Sequence, residues 1–167
     1  MRLLDPPSPM VSPEHYTGMV LLATTVVLEA GGEPWIGKVG VAFNMCNRAL
    51  QLAWSLHKVI LGPDEKAYDD GHPYETYSCW NDDYRQQARV RIDALQAAPA
   101  LWEECYKAAA AAYWQLWVDP THGAFFYMNV EETKRIRGDG SLPLWWDLDA
   151  DSASEIKIGK HTFRRHK

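Results

Sequence analysis

Cysteine is scarce in this chain, and its number is odd. Cys46, Cys79 and Cys105 lie far apart and form no CxxC pair. That spacing excludes a disulfide framework and a zinc ribbon. Long apolar runs are also missing, since no segment approaches the ~20 apolar residues that a membrane span requires. There is no basic excess either: 22 acidic residues against 17 basic ones give a net charge of −5. Nucleic acid is therefore not an expected partner, because such binders carry a basic footprint. The chain has no glycine-rich phosphate loop, no HExxH and no regular strand–helix alternation. His15, His57, His72, His122 and His161 do not fall at helical ligand spacing, so neither a metal nor any other cofactor is expected.

What is present is a globular composition, 47% hydrophobic and 23% charged over 167 residues. A chain of that length can bury roughly two-thirds of its unfolded surface in one domain without a staple. Eight Trp and eight Tyr are many for this length. They serve either a large aromatic core or a cleft that stacks flat ligands such as sugar rings. Residues 1–11 read as an irregular, proline-rich arm, and residues 12–167 as a single domain, expected to act as a monomer. The first residues, MRLLDPPSPMVSPEHY, lack the apolar centre of a signal peptide. The expectation is synthesis in the cytoplasm. The last residues, KHTFRRHK, form a basic tail that is either solvated or held near an anionic surface.

Helical signals dominate. Ser12-Pro13-Glu14 reads as a helix start, with a hydroxyl cap, a proline in the first turn and an early acid. Apolar residues at Tyr16, Met19, Val20, Ala23, Val27 and Ala30 keep a helical period, and Gly31-Gly32 ends it. A second helix opens at Pro34, a short one covers Leu56–Leu61, another runs from about Tyr84 to Ala97, and one starts at Pro99 and stops at Asp119-Pro120. Residues 62–84 read as loop with a short strand. GAFFYMN is a short strand, EETKRIRGDGSLPLWW a loop or broken helix, and EIKIGKHTF a strand or hairpin. The fold class is mainly α with a small β element, α+β.

The stretch LEAGGEPW holds the main chemical candidate. Glu29 closes an apolar helix at its negative dipole end, flanked by Val27 and Leu28, and both features disfavour an anion there. A carboxyl kept protonated is what a general acid needs. The plain alternative is a solvated glutamate on the helix's polar side. Glu33 follows the Gly-Gly break and reads as a cap for the next helix or as a supporting group. Glu75, Asp82 and Asp83 flank YSCWN as possible second carboxylates or as solvated loop residues. Cys79 with His122 or His161 as base is a cysteine-nucleophile alternative.

Five blocks occur in a telling order: Glu29 to Pro34, Gly37 to Arg48, Tyr77 to Trp80, Asp119 to Asn129, and Ile158 to Phe163. In this order they resemble the spore-cortex-lytic cell-wall hydrolase family (SleB/CwlJ type). The chain departs from that family at Lys38, where glutamine is frequent, and at Phe125-Phe126, where a histidine is common.

The resemblance implies a lysozyme-like fold and action on the glycan strands of peptidoglycan, with Glu29 as the catalytic residue. It also implies a substrate groove lined by Glu33, Tyr77, Ser78, Trp80, Tyr127, Asn129 and His161. The reaction it suggests is lytic transglycosylation at the MurNAc–GlcNAc β-1,4 bond. Hydrolysis by a muramidase, with Glu33, Asp82 or Asp83 as partner, is the alternative. A cysteine-dependent amidase or peptidase using Cys79 and a non-catalytic glycan-binding protein are the rival classes. Such a chain suits a phage endolysin made in the host cytoplasm and released to the wall through a holin-type lesion, with a bacterial enzyme exported by another route as the alternative.

Overall fold

A computed structural model of the chain describes residues 5–62, 77–80 and 82–167. Among them are seven α-helices and a three-stranded sheet. The architecture is mainly helical with a small antiparallel β element, an α+β arrangement.

The first helix, α1 (Gly18–Ala30), begins later than the Ser12-Pro13 signal suggests. Pro13–His15 forms one 3-10 turn. Tyr16 then takes extended backbone, buries its ring and donates its hydroxyl to the Ser8 carbonyl at 3.3 Å. Thr17 starts the helix anew, its hydroxyl accepting from the Val20 amide. From Leu21 to Ala30 every residue of α1 is buried except Glu29. The two polar members of that run, Thr24 and Thr25, donate their hydroxyls back to the carbonyls of Val20 and Leu21. Such back-bonding makes a threonine tolerable in an apolar setting.

A helix that is apolar on all sides must be enclosed. α2 (Trp35–Leu52), α3 (Leu56–Leu61), α4 (Asp82–Ala94) and α5 (Pro99–Tyr113) all pack on α1. α5 turns a face of Ala108, Ala109, Ala111 and Ala112 inward, and these small side chains permit close approach to α1 and α2. It ends at Tyr113, well before Asp119-Pro120. There Gln115 adopts positive φ, and the Leu116 amide closes on the Ala111 carbonyl at 2.8 Å. YSCW is a 3-10 turn at Ser78–Trp80 where a strand is expected from the sequence.

The sheet consists of β1 (Phe126–Met128), β2 (Ile156–Ile158) and β3 (His161–Arg164), ordered β1-β3-β2. Tyr127 pairs with Phe163, and Ile158 with His161. Side-chain alternation gives the sheet two faces. Ile158, Phe163 and Tyr127 join the main helical core, while Phe126 and Met128 join a second cluster with Phe125, Trp146 and Ala150. Two further helices follow β1: α6 (Val130–Arg137), capped by Asn129, and α7 (Leu144–Leu148).

The basic C-terminus is not a loose tail. His166 stacks on Phe126 with ring centroids 5.8 Å apart. Lys167 donates to the carbonyls of Asp147 and Leu148 at the end of α7, where a cation offsets the helix's negative pole. Arg164 pairs with Glu155 at 2.6 Å and lies over the Trp146 ring. At the other terminus, Pro7 is buried. Among the described residues no helix is long and apolar enough to cross a membrane.

The β2–β3 turn depends on Gly159, which has φ +59 and packs against the Glu33 carboxylate. A Cβ at this position would overlap that carboxylate. Gly159→Ala is therefore expected to destabilise by at least about 1–2 kcal/mol, the usual cost of left-handed backbone for an L-residue. In a chain of this size that lowers the melting temperature by several degrees. Thermal unfolding followed by circular dichroism measures it. An unchanged midpoint would mean that the turn relaxes freely.

Candidate active site

Glu29 is where the enclosure of α1 opens, and it is half-buried. Both of its carboxylate oxygens are held. Oε2 accepts the Tyr127 hydroxyl at 2.8 Å, and Oε1 accepts the Cys79 backbone amide at 3.2 Å. Three separate parts of the chain thus meet at one carboxylate: the end of α1, the 3-10 turn at Ser78–Trp80, and β1. Each such hydrogen bond contributes roughly 0.5–1.5 kcal/mol net, and two donors fixed by the fold restrict the direction of the carboxyl.

Sequence reasoning expects an uncompensated negative helix pole at Glu29. The structure differs, because Arg91 of α4 reaches across and donates to the carbonyls of Leu28 (2.6 Å) and Val27 (3.0 Å). A guanidinium therefore caps the C-terminus of α1. In sequence, Arg91 is one charge among several on an amphipathic helix, and nothing there marks it as a cap for a helix sixty residues earlier.

Behind Glu29 stands an aromatic wall. Tyr127 stacks on Tyr77 (centroids 5.7 Å) and on Phe163 (5.7 Å), and His161 meets it edge-on at 5.2 Å. Tyr77 is buried and donates its hydroxyl to Asn44 Oδ1 at 2.8 Å. Asn44, fully buried, passes the link to the Ala124 carbonyl through its amide. Asn47 donates to Asp119 Oδ2 at 2.9 Å, so the second and fourth sequence blocks are joined directly. Asn44 and Asn47 are on one face of α2, but the sequence offers no sign that they hold the wall in place.

Burial holds the Tyr127 hydroxyl well above its ordinary range, and the neighbouring Glu29 carboxylate adds to this. Tyr127 therefore stays a donor to Glu29. The Cys79 thiol is likewise pushed well up, first by burial and then by Glu29 beside it. A thiol that resists ionisation is a poor nucleophile.

The remaining sequence candidates divide. Glu33 does not cap α2, whose N-cap Pro34 has no side-chain bond. Its buried carboxylate instead accepts the Lys160 amide at 3.1 Å, tying the Gly-Gly loop to the β2–β3 turn. Lys38, buried as well, reinforces that loop, its ammonium donating to the Glu33 carbonyl and pairing with Glu104 at 3.2 Å. Trp80 is buried, and its indole N–H donates to the Thr25 hydroxyl. It is part of the core wall one turn behind Glu29, not a stacking surface. Asn129 caps α6 through the Glu132 amide. Ser78 is in the turn that brings the Cys79 amide to Glu29. His57 bonds the Tyr16 carbonyl and His122 is exposed, so neither is near Glu29 by any contact seen here. Glu75 and His72 lie outside the described residues, as do the side chains of Asp82 and Asp83. Among the described residues no three His, Cys, Asp or Glu side chains gather as metal ligands.

Compared with protein-family models, curated proteins and solved structures, the chain matches none.

His161 is 7% exposed, and its Nδ1 has no hydrogen-bond partner among the described residues. Burial lowers its pKa from the ordinary 6.5, against the opposing pull of Glu33 and Glu29. The unfolded chain then takes up a proton at higher pH than the folded one. Stability is full above about pH 6.5 and falls as the pH drops below it. In His161→Gln, the loss of melting temperature between pH 7.5 and 5.0 should be smaller than in the wild type. An equal loss in both would put the responsible proton elsewhere.

Proposed function

We propose that the chain cleaves the glycan strand of peptidoglycan at the MurNAc–GlcNAc β-1,4 bond, as a lytic transglycosylase with Glu29 as the single acid and base. The observation that carries this reading is the hold on both oxygens of Glu29, a half-buried carboxyl at the end of a largely apolar helix. The ordered sequence blocks around Glu29, Tyr77–Trp80 and Tyr127 give the substrate class. Three of those blocks converge on this one carboxylate, which fits their being parts of one site.

In the proposed reaction the Glu29 carboxyl donates its proton to the bridging oxygen as the C1–O bond breaks. The resulting carboxylate takes the proton of the C6 hydroxyl of the same sugar, whose oxygen attacks C1 and closes a 1,6-anhydro ring. Glu29 ends protonated, as it began, and no water is consumed. An internal nucleophile needs no second carboxylate, unlike the usual pair of a hydrolase. Glu33, the nearest carboxylate in sequence, is engaged with the β2–β3 turn, which favours this route over hydrolysis with Glu33 as partner. Tyr127 and the Cys79 amide act as positioning groups that fix the direction of the acid. The lysozyme-like arrangement expected of this family belongs to the same proposal: helices on one side of a cleft, a small sheet on the other. A phage lysis enzyme acting on the wall after release is the biological setting it fits.

Glu29→Gln keeps the size and much of the hydrogen bonding of the side chain but cannot deliver a proton. General acid–base catalysis is typically worth ~10²–10⁴ in rate, and a group serving in both steps should fall toward the upper end. Clearing of permeabilised Gram-negative cells gives the rate, circular dichroism confirms folding, and mass spectrometry of the products distinguishes anhydro ends from reducing ends. Near-normal lysis by folded Glu29→Gln would remove Glu29 from the chemistry.

Cys79→Ser leaves the backbone amide in place and should retain most activity. Complete loss in a folded Cys79→Ser protein would restore the cysteine mechanism.

A further inference from the structure

Five of the large apolar side chains that the described residues leave exposed fall in one short run at the end of α5: Tyr113, Trp114, Leu116, Trp117 and Val118. Ile36 of α2 is exposed as well, and its neighbour Trp35 meets the Trp117 ring edge-on at 6.3 Å. α5 packs on α1 and α2 through its alanines, so these side chains lie outside the core that it helps to form. The surface is held in shape. Gln115 takes left-handed backbone, and the Trp114 and Leu116 amides close on the Ala110 and Ala111 carbonyls at 3.0 and 2.8 Å. Trp114 meets Tyr113 edge-on at 4.7 Å. A preformed surface loses less ordering entropy when something docks on it. It is also uncharged, since residues 108–118 contain no Asp, Glu, Lys or Arg. At the ends of that run, Lys107 is paired with Glu103 at 2.6 Å, and Asp119 accepts from Asn47 and from the Thr121 and Gly123 amides.

We infer that this patch is the contact between two copies of the chain, which meet about a two-fold axis as a homodimer in place of the monomer that the sequence suggests. Area is the first argument for a second copy. The three rings are between 42% and 63% exposed and present roughly 300 Å². Leu116, Val118 and Ile36 add about 150–200 Å². A standard interface buries about 800 Å² on each partner, somewhat over half of it apolar, or roughly 450 Å². The patch supplies that much. Charge is the second argument. Two copies of a chain with net charge −5 repel one another across most of their surfaces. A two-fold contact sets a patch against itself, so a patch of one sign would meet its own sign, and an uncharged one does not. The composition is that of an interface centre, with Trp and Tyr present and Lys, Asp and Glu absent. Lipid also accepts exposed Trp and Tyr, but interfacial attachment generally draws on Lys or Arg at the headgroups, and this run has neither. The inference stands independently of the chemistry proposed for Glu29.

The test is sedimentation equilibrium of the full chain from about 1 to 200 µM, beside Leu116→Glu and, separately, Val118→Glu, each checked for folding by circular dichroism. Both positions are exposed, so neither change removes core packing. The wild type should pass from 19.0 kDa toward twice that mass, with a dissociation constant on the order of 10 µM for an interface of this size. Either glutamate should weaken the dimer about 100-fold or more, because it brings two like charges into the contact. Salt should leave the wild-type dimer unchanged or strengthen it, since screening acts only on the repulsion between the anionic copies. A wild type that stays monomeric throughout overturns the inference. So does a dimer that forms equally well in both variants or dissociates in high salt, which would place the contact on another surface. Growth beyond the dimer would show a contact that does not close on itself. Attachment of monomeric wild type, but not of the variants, to phosphatidylcholine vesicles would make the patch a lipid surface instead.

Discussion

The enclosure of α1 is the constraint from which the rest follows. A helix with apolar residues on every side is unstable in water, and its stability comes from burying all of that surface. α2, α3, α4 and α5 supply the cover, and the alanine face of α5 lets the backbones come close. From Leu21 to the end of α1 the cover is incomplete only at Glu29, where a carboxyl meets solvent. The position of the candidate acid is thus a by-product of packing: the one charged side chain of α1 stands where its buried stretch meets solvent.

Such an opening needs support, because an exposed carboxyl on a helix end would otherwise move freely. The sheet provides it. β1 brings Tyr127 to Glu29, and β3 backs Tyr127 with Phe163 and His161. The sheet is in turn held to the helical body by Glu33 at the Gly159–Lys160 turn and by Gly40 of α2, which leaves room for the Phe163 ring. The two glutamates divide the labour physically: Glu29 faces the opening, while Glu33 is buried as a fastening for the strands that orient Glu29. Aromatic contacts of this kind add about 0.5–1.5 kcal/mol each beyond area burial, which favours one orientation of the Tyr127 ring.

Several of these features are legible in the sequence. The apolar period before Gly31-Gly32, the start of α2 after Pro34, the bounds of α3 and the β2–β3 hairpin follow from periodicity and from glycine and proline punctuation. These are local signals, and local geometry answers to them. Glu29 stands out for the same reason, as a charge interrupting an apolar turn. The start of α1 is misread because Pro13–His15 makes only a single 3-10 turn, without a cap bond from the Ser12 side chain, and buried Tyr16 takes extended backbone before Thr17. Tyr77 and Tyr127 stack on one another beside Glu29, but the contacts of each ring are not legible in the sequence. Tyr77 and Trp80 are buried with their polar atoms bonded to Asn44 and Thr25, and only the fold decides which face of a ring meets solvent.

By itself the sequence determined that this is a mainly helical chain with a small β element, built around an apolar helix that ends in a carboxyl. Those properties depend on near neighbours: period, caps and turn residues. Only the tertiary structure decided that Arg91 caps that helix, that the Cys79 amide and the Tyr127 hydroxyl hold Glu29, and that the basic C-terminus folds back on α7. Each of these contacts joins residues dozens or more positions apart or depends on a single side-chain reach. Hydrophobic periodicity carries no record of either, because burial is non-directional while a hydrogen bond requires its partner at one distance and angle.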